Sequence, residues 1–248
     1  MVILVACTCF ALQLSNSTKS PKTSGLQDKT WNPEIQGIGD LTETPPGAVP
    51  TEKRAPLSTV NILLTDEEFA KYIKKSVYKV LHEPGHWRPN KIVLHNTDIP
   101  SIAMRPTGFS PSDMIALDHY YGVGKGWTAG PAAFVDQNGI WIFTGFLNPG
   151  VHSPSWNSTS WGIEQLGNFD HEPYNSGDGQ RIRGHTVAML AILSIAADLP
   201  LDSETVRFHK EDIATTHIRC PGAACQKQDI LDAVEKERTH WQKIWDAL

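Results

Sequence analysis

No run of about 18 consecutive apolar residues occurs in the chain, so the sequence offers no membrane-spanning helix. Nor is charge of one sign in large excess. The net charge of -5 gives no reason to expect a nucleic-acid binder, which would ordinarily carry a basic patch. Cysteine is scarce: four residues fall in two close pairs, Cys7 with Cys9 and Cys220 with Cys225. That count does not define a disulfide framework in 248 residues. Cys220 and Cys225 can be read as a disulfide, or Cys225 as a small buried hydrophobe. Internal repeats are absent, and so is any compact zinc signature of the His-Glu-x-x-His kind.

What is present suits one sizeable core, with 40% hydrophobic and 20% charged residues. Residues 1–14 are largely apolar, like the h-region of a signal peptide, although no positive n-region precedes them. Leu4-Val5-Ala6-Cys7 looks like a bacterial lipobox, in which Cys7 would carry the lipid. Residues 15 to about 58 are rich in Ser, Thr, Pro, Lys and Gly, a composition that buries too little surface to offset the entropy of ordering. The expected organisation is therefore a signal-like N-terminus and flexible linker over 1–58, then one folded domain over 59–248.

Within that domain, Thr65 and Glu68 make a capping box, with Leu64 placed to staple onto Phe69. Phe69, Ile73, Val77 and Val80 then share one helical face, and Pro84-Gly85 ends the helix. Residues 91–97 read as a short buried strand. Ser110 caps a second helix with Pro111 in its first turn. Residues 133–136 and 140–143 read as a hairpin joined through an Asn138-Gly139 turn. Residues 161–166 are a further strand candidate, and Thr205-Val206-Arg207-Phe208 is strand-like. Helices are expected over 179–197 and about 227–247, with His185 structural on the first of them. Strands interleaved with helices argue for an α/β fold, a central mixed β-sheet flanked by helices.

Three residues stand out as metal donors. His95 ends the first core strand, His209 follows the run at 205–208, and Cys220 comes eleven residues later in Cys220-Pro221-Gly222. Imidazole and thiolate are natural zinc ligands, and a hydrolytic zinc needs three protein donors and an open position. The spacing alone does not establish a metal site.

Taken in order, His95-Asn96-Thr97 on a first strand, Gly162-Ile163-Glu164 on a later one and His209…Cys220-Pro221-Gly222 near the end resemble the N-acetylmuramoyl-L-alanine amidase family. That family takes in amidase-type phage lysozymes, bacterial recycling amidases and animal peptidoglycan recognition proteins. The resemblance covers roughly residues 87–224. Trp127 with Gly130 to Gly139, and Val151-His152-Ser153 with Trp156-Asn157, fit its intervening segments.

The resemblance implies a Zn2+ cofactor held by His95, His209 and Cys220, with Glu164 as general base. It implies hydrolysis of the amide between N-acetylmuramic acid and L-alanine in peptidoglycan. A recognition domain that binds peptidoglycan without cutting it is the alternative. His217 falls where the family often has a Lys and would stabilise the developing oxyanion. His152, Trp156 and Asn157 become groove residues for sugar or peptide. The implied partner is peptidoglycan. Action outside the cytoplasm by a monomer is expected, and the lipobox-like run makes Cys7 the candidate lipid anchor.

Three features depart from the family pattern. Asn96 stands where many members have His, a change the chemistry tolerates. The segment from His209 to Cys220 is long, which leaves His217 as an alternative third ligand. Ala132 and Ala133 stand where some members place a Tyr, which puts more weight on Glu164.

Overall fold

The computed structural model describes residues 62–248. The signal-like segment, Cys7 and the linker lie outside the described residues. The chain opens with β1 (Ile62–Leu64) and α1 (Asp66–Tyr72), which runs through a π-helical segment (Ile73–Val77) into α2 (Tyr78–Leu81). Then follow β2 (Lys91–Asn96), α3 (Pro111–His119) with a π-helical extension (Tyr120–Gly124), β3 (Ala133–Asp136), β4 (Gly139–Ile142) and β5 (Ser160–Gln165). The long helix α4 (Gly177–Ala197), β6 (Val206–Phe208), a 3-10 turn (His209–Glu211) and α5 (Lys227–Ala247) complete the fold.

Local chemistry sets these boundaries. Thr65 caps α1, its side chain accepting from the Glu68 N–H while Glu68 reaches back to the Thr65 N–H. Ser110 and Asp113 do the same at α3, with Pro111 in the first turn. The inward residues after α1 begins are Phe69, Ile73, Val77 and Leu81, with Val80 only half-buried. A strict four-residue step drifts around an α-helix of 3.6 residues per turn. The wider π-helical turn takes up that drift, which is why Leu81 and not Val80 closes the apolar face.

The six strands form one sheet in the order β1-β4-β3-β5-β2-β6. β1, β4 and β3 pair antiparallel, whereas β3–β5, β5–β2 and β2–β6 are parallel. The fold is α/β, a central mixed sheet flanked by helices. The hairpin differs from the expected one. Its loop is Gln137-Asn138, and Gly139 pairs with Asp136 as the first residue of β4. Gly139 has φ +148°, and a Cβ there would lie 2.4 Å from the Leu64 carbonyl oxygen, so glycine is required by the approach of β1.

α4 is apolar on nearly every side from Thr186 to Ala197, as a helix enclosed by protein must be. It packs on β3 and β4, on α1 and α2, and on α5. Its Thr186 hydroxyl donates to Gln165 Oε1 at 3.0 Å, which fixes the sheet face it covers. Side chains alternate along a strand, so Leu94, Ile163 and Gln165 face α4, and His95 and Glu164 face the other way. Among the described residues, no helix is long and apolar enough to cross a membrane.

Candidate active site

The face turned away from α4 carries a cleft of about 400 Å³ at the C-terminal ends of the parallel strands. β2 delivers His95 and β5 delivers Glu164 from directly opposite positions of the parallel ladder. β6 ends at Phe208, and the 3-10 turn that follows presents His209. Cys220 arrives from the loop before α5. Its sulfur accepts the Asn96 N–H at 3.3 Å, so the residue after His95 anchors the cysteine.

The donor atoms of His95, His209 and Cys220 all lie within 4.8 Å of one another. His95 and His209 are buried, with ring centroids 4.4 Å apart. Each imidazole has its Nε2 engaged: His95 Nε2 meets His152 Nδ1 at 3.0 Å, and His209 Nε2 meets the Thr215 hydroxyl at 2.8 Å. Gln165 Nε2 donates to the His95 carbonyl at 3.1 Å and locks the strand end in place.

Burial, followed by the neighbouring imidazoles, holds His95 well below the usual histidine range. Burial first, then His217 and His152, depresses His209 to about 3. Both rings are thus neutral at physiological pH, the form that ligates a metal. Burial, and next the Glu164 carboxylate, push the Cys220 thiol well above its usual range, while the Asn96 N–H opposes that rise. An N–H aimed at sulfur stabilises a thiolate, and a cation beside it would complete that stabilisation. Two neutral imidazoles and one sulfur form a donor set suited to zinc. Cys220 and Cys225 are both free thiols, so the disulfide reading is corrected.

Glu164 opens onto the cleft and is otherwise walled in. Burial lifts its carboxyl from 4.5 to about 8. His217 lines the same cleft and stacks on His209, with centroids 5.1 Å apart and planes at 25°. It lies beside the three-donor cluster and is not one of its members.

The three groove residues separate. His152 lines the cleft and stands directly behind His95. Asn157 reaches the cleft edge, but its Oδ1 accepts the N–H groups of His152 and Ser153 at 2.7 and 2.8 Å. Trp156 is not among the cleft-lining residues, and its ring sits under the Arg207 guanidinium at 5.1 Å.

Two aromatic rings form a further part of the cleft wall. Tyr121 and Trp127 stack at 5.5 Å with planes 13° apart, and both line the cleft. Burial, then the charge of Glu164, raises the Tyr121 phenol well above its usual range. A Tyr therefore stands near Glu164 after all, brought by the π-helical extension of α3 and not from the start of β3, around Ala132 and Ala133. The sequence offers His119-Tyr120-Tyr121 as a groove-lining run, with core packing favoured for at least one ring, and Tyr121 fits both readings, being buried and cleft-lining.

No protein-family model matches the sequence. No curated protein sequence matches it. Solved structures do match. N-acetylmuramoyl-L-alanine amidase LysC from Clostridium intestinale is 18% identical at a TM-score of 0.47, over 75% of this chain and 99% of that one. Drosophila PGRP-LB is 19% identical at 0.44, over 55% and 78% of the two chains. PGRP-SA of Apis mellifera is 18% identical at 0.46, over 60% and 89%. This chain is thus similar to amidases and to peptidoglycan recognition proteins. At such identities and TM-scores its chemistry has to be argued from its own residues.

Proposed function

We propose that the chain is a zinc-dependent N-acetylmuramoyl-L-alanine amidase, acting on peptidoglycan outside the cytoplasm. The observation that carries this reading is the convergence of His95, His209 and Cys220 to within 4.8 Å beside Glu164. These residues are widely separated in sequence, and a structural role for any one of them does not call for the other three. His95, His209 and Cys220 would hold the metal. When bound, zinc would supply Lewis-acid polarisation of the scissile carbonyl and a water of lowered pKa, about 7.

The chain's own groups perform the remaining steps. Glu164 takes a proton from the attacking water at its carboxylate and passes it to the departing amide nitrogen. Its dry surroundings, which lift the carboxyl to about 8, favour a group able to both accept and release a proton near neutrality. His217, which lines the same cleft as Glu164, donates a hydrogen bond to the oxyanion that develops on the carbonyl oxygen. The Tyr121–Trp127 stack lines the cleft but is almost wholly buried, so it shapes the wall and presents little aromatic surface to a bound glycopeptide.

Digestion of purified cell wall, followed by mass spectrometry of the fragments, tests the proposal. Free N-terminal alanine should appear together with peptide-free muramic acid. A chelator should abolish both products and added zinc restore them. Binding to cell wall with no fragment released would replace the amidase reading with that of a recognition domain.

A further inference from the structure

We infer that His152 is a positioning residue for His95: it holds the imidazole by Nε2 and leaves Nδ1 as the atom that takes the metal. The inference rests on the zinc reading above and assigns to His152 a role other than contact with substrate. A ligating nitrogen carries no proton, so the other nitrogen of His95 keeps one and needs an acceptor. His152 Nδ1 is 3.0 Å from His95 Nε2, with the two rings nearly perpendicular at 87°. With Nδ1 accepting, the proton of His152 sits on Nε2. That atom faces Ser160, 3.4 Å from the carbonyl oxygen and 3.3 Å from the hydroxyl. One arrangement of tautomers thus satisfies both neutral rings at once.

The surroundings are built for this ring. Gly162 lies on β5 opposite Val93, two residues before Glu164. A Cβ on Gly162 would come within 2.3 Å of His152 Cγ and 2.7 Å of its Nδ1, so the absence of a side chain there is the seat of the imidazole. Asn157 Oδ1 fixes the backbone on either side of that seat by accepting from His152 and Ser153. Asp212 accepts from the Ser153 hydroxyl at 2.6 Å and the Ser155 N–H at 2.9 Å, and its own N–H donates to the His209 carbonyl. The loop that carries His152 is therefore tied to the turn that carries the second ligand.

The test measures zinc affinity of the purified full chain by competition with a chromophoric chelator, alongside the absorption spectrum of the cobalt-substituted protein. His152→Ala should weaken zinc binding about 10–100-fold, the usual effect of losing the outer partner of a ligating histidine, and should shift the cobalt bands. His152→Asn, whose Oδ1 can accept from His95 Nε2, should recover most of the affinity. Gly162→Ala keeps every imidazole but fills the seat, and should behave like His152→Ala. If Gly162→Ala does not fold, the Ala and Asn pair at 152 decides the matter alone. Unchanged zinc affinity and cobalt spectrum in His152→Ala, with only KM raised, would overturn the inference and leave the zinc reading standing. Failure of the wild-type chain to bind zinc would overturn both.

Discussion

Replacing Glu164 by Gln separates catalysis from architecture more cleanly than any other change at this site. No described residue hydrogen-bonds to the Glu164 carboxyl in the set of side-chain bonds around the cleft, and burial alone raises it from 4.5 to about 8. A carboxyl whose folded pKa is raised costs stability above its unfolded value, because the folded state resists the charge that the unfolded chain carries freely. At pH 7 the cost in the zinc-free protein is on the order of 1–3 kcal/mol, after discounting for the side of the group that faces the water of the cleft. Glutamine has nearly the same shape and no charge to desolvate. Glu164→Gln should therefore raise the melting temperature of the zinc-free chain at pH 7, and the gain should vanish below about pH 4.5. Zinc binding should persist, since the three donors are untouched. Turnover should fall about 10²- to 10⁴-fold, the usual contribution of a general base, or roughly 3–5 kcal/mol of barrier. Scanning calorimetry across pH and initial rates of cell-wall solubilisation measure the two effects. Near-full activity would refute the general-base assignment, and a loss of stability at pH 7 would refute the account of its surroundings.

Other predictions concern the scaffold. His185 on α4 pairs with Asp66 at the start of α1 at 2.8 Å, both partly buried. The hydrogen bond to Asp66 is the main cause that raises His185 above its usual range, opposed by burial and helped by the charge of Asp136. A raised histidine stabilises fully below its unfolded pKa of about 6.5 and loses that contribution as pH climbs through the folded value. His185→Gln should thus cost about 1 kcal/mol at pH 5.5 and much less at pH 9 in denaturant titrations. A pH-independent cost would contradict the ion pair. Leu190 is fully buried in α4, and Leu190→Ala should cost about 2–5 kcal/mol by chemical denaturation; a cost under about 1 kcal/mol would mean α4 is not the centre of the core.

How far the sequence could be read depends on the range of the forces concerned. The capping boxes at Thr65 and Ser110 and the apolar strand at 91–96 are local, and residue type alone exposes them. β1 was missed because three residues show no period, and its role comes from pairing with β4 far along the chain. Asn138-Gly139 looked like a turn because that dipeptide favours one, but Gly139 answers to the Leu64 backbone and belongs to the strand. At the site, His95, His209, Cys220 and Glu164 were legible only through the order of motifs in a family resemblance; their separations follow from strand register. The hydrogen bonding of Asn157 to its own loop, the packing of Trp156 against Arg207 and the Tyr121–Trp127 wall depend on loop paths that no periodicity encodes.

The central claim is that two imidazole nitrogens and the Cys220 sulfur grip one metal ion. X-ray absorption at the zinc edge of the purified chain tests it directly. The expected first shell holds nitrogen or oxygen scatterers at about 2.0–2.1 Å and one sulfur at about 2.3 Å, with the sulfur contribution gone in Cys220→Ser. A shell without sulfur in the wild-type chain, or one left unchanged by Cys220→Ser, would contradict the account.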